Sequence, residues 1–98
     1  MLNLSPEDNE LFRRIDEICY YRWDPIGVSD TARTRDEYRS YVPQIFRRVK
    51  DGNLFPIIEY MRKVVTDSMG LDFNRENAKQ AALLMLEWRR VIDERRSR

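Results

Sequence analysis

The chain has no histidine and one cysteine, Cys19. Without imidazole, ordinary zinc sites, haem-His ligation and Ser-His-Asp or Cys-His nucleophile arrangements cannot be built from this chain, and a lone thiol allows no internal disulfide. Glycine (three) and proline (four) are scarce, leaving little room for a sheet built on tight turns. There is no run of ~18 apolar residues and no signal-peptide core, so the expectation is a cytoplasmic protein with no membrane association. No phosphate-cradling loop, paired-carboxylate spacing, repeat or low-complexity segment is visible. The expected protein is not an enzyme and takes no cofactor and no metal.

What is present favours one folded helical unit. Ninety-eight residues make a single domain, 1–98, and 42% apolar with 11% aromatic content supports a core despite 36% charged residues. Ala, Leu, Glu, Arg, Met and Gln lean helical. The net charge of +1 offers no global attraction to nucleic acid or membrane, but the distribution is uneven. Residues 1–30 hold three basic and seven acidic groups; residues 31–51 hold six and three, and residues 73–98 seven and four. An acidic first third hints at a basic partner, against the simpler reading of a mixed folded surface.

Ser5-Pro6-Glu7-Asp8 reads as a helix start, with Ser5 as cap, and Leu11, Ile15, Ile18 and Cys19 carry an apolar side to about residue 22. The pairs Glu10–Arg14 and Arg13–Glu17 are spaced to brace its outer side. After the loop at Trp23–Val28, Thr34-Arg35-Asp36-Glu37 fits a capping box. Tyr38, Tyr41, Val42, Ile45, Phe46 and Val49 then recur at helical spacing to Asp51-Gly52, with a kink or brief break expected at Pro43. Asn53 is positioned to cap a third helix whose inner face is Leu54, Ile58, Met61, Val65 and Met69, ended by Gly70 as a left-handed cap. Asn74 begins a fourth, with the stripe Ala78, Ala81, Ala82, Met85, Trp88 and Ile92. Apolar residues on nearly every side of 78–86 predict the most buried helix, and 95–98 a frayed basic tail. The expected fold is all-α, a single-domain bundle of about four helices with a structured loop after the first. Arg89 falls inside the fourth stripe, so it either snorkels near the helix end or pairs with a carboxylate such as Asp24.

The run Trp23-Asp24-Pro25-Ile26-Gly27-Val28, followed by Ala32-Arg33, Asp36-Glu37-Tyr38 and Tyr41-Val42-Pro43, resembles a family of small bacterial helical proteins without assigned activity. The likeness covers about residues 11 to 70 and is most specific over 23–43. Some relatives sit beside polymorphic toxins, including contact-dependent growth inhibition systems, as immunity proteins. The resemblance implies a structural motif of Trp23, Asp24, Pro25, Gly27, Asp36, Glu37, Tyr38 and Tyr41. In it Trp23 plugs the bundle, Asp24 accepts bonds from backbone N–H groups or a basic side chain, Asp36 and Glu37 cap the second helix, and both tyrosines pack against the loop.

On that footing the first functional expectation is an immunity protein that neutralises a cognate toxin domain, a nuclease being the leading class, by blocking its active or substrate-binding site. Carboxylates can mimic phosphates in such a cleft, which makes Glu10, Asp16, Glu17, Asp24 and Asp30 the candidates, with Tyr20 and Tyr21 as aromatic anchors. Near-neutral charge counts against phosphate mimicry. The alternative is a cytosolic bundle of regulatory or structural role, with the apolar surface of the fourth helix available as a homodimer contact. Direct nucleic-acid binding through Arg33, Arg35, Arg39, Arg47, Arg48 and Lys50, or Arg89, Arg90, Arg95, Arg96 and Arg98, is a weaker reading because no recognised motif accompanies them.

Overall fold

The computed structural model describes residues 4–24 and 32–96, with side chains in the second helix described from Asp36 onward. The order is α1 (Pro6–Ile18), a π turn (Cys19–Trp23), α2 (Ala32–Asp51), α3 (Leu54–Lys63), a second π turn (Val64–Ser68) and α4 (Arg75–Arg96). This is the expected all-α bundle. α1 packs between α2 and α4, and α3 does the same on the other side, so α1 and α3 lie across the bundle from one another.

Local chemistry sets most boundaries. Ser5 Oγ accepts the Asp8 N–H at 3.1 Å, Pro6 takes the first helical position, and Glu7 and Asp8 face the positive end of the helix dipole. Asn74 caps α4 by accepting the Asn77 N–H at 3.0 Å. Gly70 has φ +67, the left-handed end expected of it, and the Leu71 N–H reaches the Val65 carbonyl at 2.9 Å. That bond spans one residue more than the usual left-handed end because the preceding turn is π-wound. Asn53 has extended backbone, but its side chain makes no capping bond.

Several expectations are corrected. α2 starts at Ala32, so Thr34 lies inside the helix and Asp36 and Glu37 stand in its second turn, exposed, beyond the orphan N–H groups a cap would serve. The capping-box spacing also occurs by chance inside a helix, and Ala32, the strongest helix former, extends the run. α2 is continuous through Pro43; the bond that Pro43 removes falls at Arg39, whose exposed position leaves its carbonyl open to solvent. α4 is not the most buried helix. Ala78, Ala81, Ala82, Met85 and Ile92 are buried, but Leu83 is 41% exposed and Leu84, Leu86 and Trp88 are half-buried. Arg95 and Arg96 are helical rather than frayed, and Arg95 pairs with Glu10 at 3.2 Å.

Arg89 ends on neither a buried carboxylate nor Asp24. Its head reaches out over Gly52, its Nε donates to the Lys50 carbonyl at 3.2 Å, and the Asp93 carboxylate stands 4.0 Å away. It therefore snorkels, as one alternative held, and serves the C-terminal end of α2, whose last carbonyls lack helical partners. Gly52 accommodates this with φ +83. The core runs through all four helices: Leu11, Ile15 and Ile18 on α1, Val42, Ile45 and Val49 on α2, Ile57, Ile58 and Met61 on α3, and the small stripe of α4.

Candidate functional site

The segment that closes α1 is wound as a π turn from Cys19 to Trp23, sealed by the Asp24 N–H donating to the Cys19 carbonyl at 3.0 Å. The wider turn delays rotation along the chain, so successive side chains point to different surroundings. Cys19 and Trp23 go inward, Tyr20 is half-buried, and Tyr21 stands 67% exposed. The Tyr20 and Tyr21 rings meet edge to face with centroids 4.7 Å apart. Trp23 plugs the core beside Tyr38, as the resemblance implied, and its carbonyl accepts from the Asn77 side chain at 2.7 Å.

Asp24 has a left-handed backbone (φ +34) and accepts the Tyr38 hydroxyl at 2.6 Å. Among the described residues its partner is thus a buried phenol; the turn whose N–H groups were expected to reach it lies outside them. Tyr41 lines a groove toward Tyr60 on α3, and its expected packing against the loop falls outside the described residues. Pro25, Ile26, Gly27, Val28 and Asp30 lie outside the described residues.

The acidic contact candidates scatter, and most face cations of this chain. Glu10 stands between Arg14 (3.8 Å) and Arg95 (3.2 Å). Asp16 is buried at the α1–α2 seam with Arg39 at 3.6 Å. Glu17 meets Arg14 at 3.3 Å, in place of the expected Arg13. Asp8, outside the candidate set, is bonded to Lys50 at 2.8 Å. The acidic first third therefore pairs with the basic segments inside one molecule. Burial, reinforced by the Asp16 carboxylate, pushes the Cys19 thiol well above its ordinary range, so it is a core residue and no nucleophile.

What the fold does bring together is Glu17 and Tyr21 with Ile18, Arg22, Leu84 and Trp88, around a shallow groove of about 220 Å³ between α1 and α4. Arg14 lies over the Trp88 ring at 4.3 Å, held by Glu17. No family model, curated protein or solved structure matches the chain. Trp88, Leu84, Arg14 and Arg22 were not among the sequence candidates. Trp88, expected within the α4 stripe, lies half-buried at its edge, with Leu84 one turn before it on the flank, and only that edge position separates the two from the core. An exposed tyrosine, a half-exposed tryptophan and leucine, and an arginine braced on an aromatic ring form a composition suited to burying a partner's surface. Among the described residues no group of three or more Cys, Asp or Glu could hold a metal, and no helix is long and apolar enough to cross a membrane.

Proposed function

We propose that this chain is an immunity protein: it binds a cognate bacterial toxin domain, a nuclease by first expectation, and blocks its active or substrate-binding site. The observation that carries the reading is the Tyr21–Leu84–Trp88 surface, edged by Glu17, Arg14 and Arg22, with the resemblance over residues 23–43 as its second support. Inhibition needs no chemistry, only a rigid face that stays seated while water and substrate are excluded. Because Glu10, Asp16 and Glu17 already meet arginines of this chain, the reading gives the aromatic anchors the larger share of affinity and the carboxylates a rim role in encounter and register.

The test is recovery of the tagged protein from its native cells at moderate salt, with identification of what accompanies it. One stoichiometric partner ending in a toxin-like domain, lost on Tyr21→Ala, is the expected result. Recovery alone refutes it. Leu83, exposed beside Leu84, favours a second reading of α4 as a homodimer face, and a sedimentation mass of two chains would establish that instead.

A further inference from the structure

Across the bundle from that surface, α2 and α3 enclose a second and larger open groove of about 510 Å³. Its walls include Tyr41 and Arg48 from α2 and Pro56, Tyr60, Lys63 and Val64 from α3 and its π turn. Arg48 sits with its guanidinium 4.4 Å over the Tyr60 ring, and its Nη1 donates to the Gln44 carbonyl and side-chain oxygen at 3.0 and 3.1 Å. Those acceptors are neutral. The guanidinium is thus fixed in place with its charge uncompensated by any carboxylate among the described residues. Lys63, exposed at the end of α3, makes no close ion pair among them, although its charge acts on Glu59 at longer range.

Two acids, Glu59 and Asp67, also line the groove, and the Arg62 charge acts on both. Glu59 is bonded by Arg62, with Nε at 3.0 Å, and that guanidinium, helped by the charges of Lys63 and Arg75, holds its carboxyl below the usual range. Asp67 also acts on Arg62 and accepts the Thr66 hydroxyl at 3.2 Å. The hydroxyls of Tyr41 and Tyr60 make no hydrogen bond among the described residues. Burial raises the Tyr60 phenol above its ordinary value, so at neutral pH it keeps its proton as a donor.

We propose that this groove binds an anion borne on a flat apolar group, a carboxylate or phosphate attached to a ring. Arg48 and Lys63 supply the charge, the two phenols the further donors, and Pro56 and Val64 the apolar wall. A guanidinium held by neutral acceptors and stacked on an aromatic ring is preorganised, so little ordering opposes binding. This inference stands without the immunity reading, since it uses a different face.

Titration with phenyl phosphate and with benzoate, followed by NMR on the side chains of Tyr41, Tyr60 and Arg48, tests it. Saturable shifts confined to this groove, weakened roughly tenfold by Arg48→Met and reduced by added salt, are the expected result. Tighter binding of phenyl phosphate assigns a phosphate-bearing ligand, and tighter binding of benzoate a carboxylate. Lys63→Gln, at an exposed position, weakens binding as well and keeps the test decisive should Arg48→Met disturb folding. Absence of saturable shifts, shifts spread over the other basic faces, or equal binding of uncharged benzyl alcohol would overturn the proposal.

Discussion

Tyr38→Phe isolates the bond that ties the end of α1 to α2. The ring is fully buried, and its hydroxyl reaches the Asp24 carboxylate at 2.6 Å. Phenylalanine keeps the packing and removes only the donor. A hydrogen bond to a charged group contributes about 1.5–3 kcal/mol, and because Asp24 is half-exposed, water recovers part of the loss. About 2 kcal/mol is therefore expected, a fall of roughly 8–16 °C in melting temperature for a domain of this size. Asp24→Gly offers the complementary perturbation. It loses the same bond but relieves a left-handed backbone that costs a side-chain residue about 1 kcal/mol, so its net cost is smaller. Urea and thermal unfolding of both single variants and the double variant complete a cycle, with an expected coupling of about 1.5–2 kcal/mol. A Tyr38→Phe cost below about 0.5 kcal/mol, or the same cost with and without Asp24→Gly, would refute the reasoning.

Arg89→Met removes the donor to the Lys50 carbonyl and is expected to cost about 1 kcal/mol by urea denaturation, whereas Arg89 paired with a buried carboxylate would cost several. Gly52→Ala combines a φ of +83 with a new methyl 3.4 Å from the Arg89 guanidinium, and a loss of about 1–2 kcal/mol is expected, eased when combined with Arg89→Met. Cys19 in the native protein should resist thiol reagents at mildly alkaline pH and react only as the chain unfolds; rapid labelling of folded protein would contradict its burial. The Asp8–Lys50 and Glu10–Arg95 pairs are partly exposed, so Lys50→Met should cost no more than about 1 kcal/mol, with a difference from the parent that shrinks as salt rises.

The parts of the fold legible in sequence were those set by near neighbours. Ser5 and Asn74 act on backbone a turn away, Gly70 sets its own φ, and the apolar positions of α1 and α3 repeat with the helix. Short-range cues failed where two patterns were compatible with one spacing, as at Thr34 and Glu37, or where one residue per turn was added, as in both π turns. The Glu10, Asp16 and Glu17 candidates were chosen for charge alone, and charge says nothing of which arginine of another helix stands opposite.

Composition and periodicity by themselves determined an all-α single domain without histidine chemistry or a disulfide, because those outcomes depend on residue types present and their local spacing. Only the tertiary structure decided that Asp24 meets Tyr38, that Arg89 serves the end of α2, and that the acidic α1 is matched by α2 and α4 within one molecule. It also turned Trp88 and Tyr21 toward a common surface and Tyr41 toward Tyr60. These are contacts between residues far apart in the chain, fixed by the rotation of each helix against its neighbours, and side-chain packing across the bundle sets that rotation.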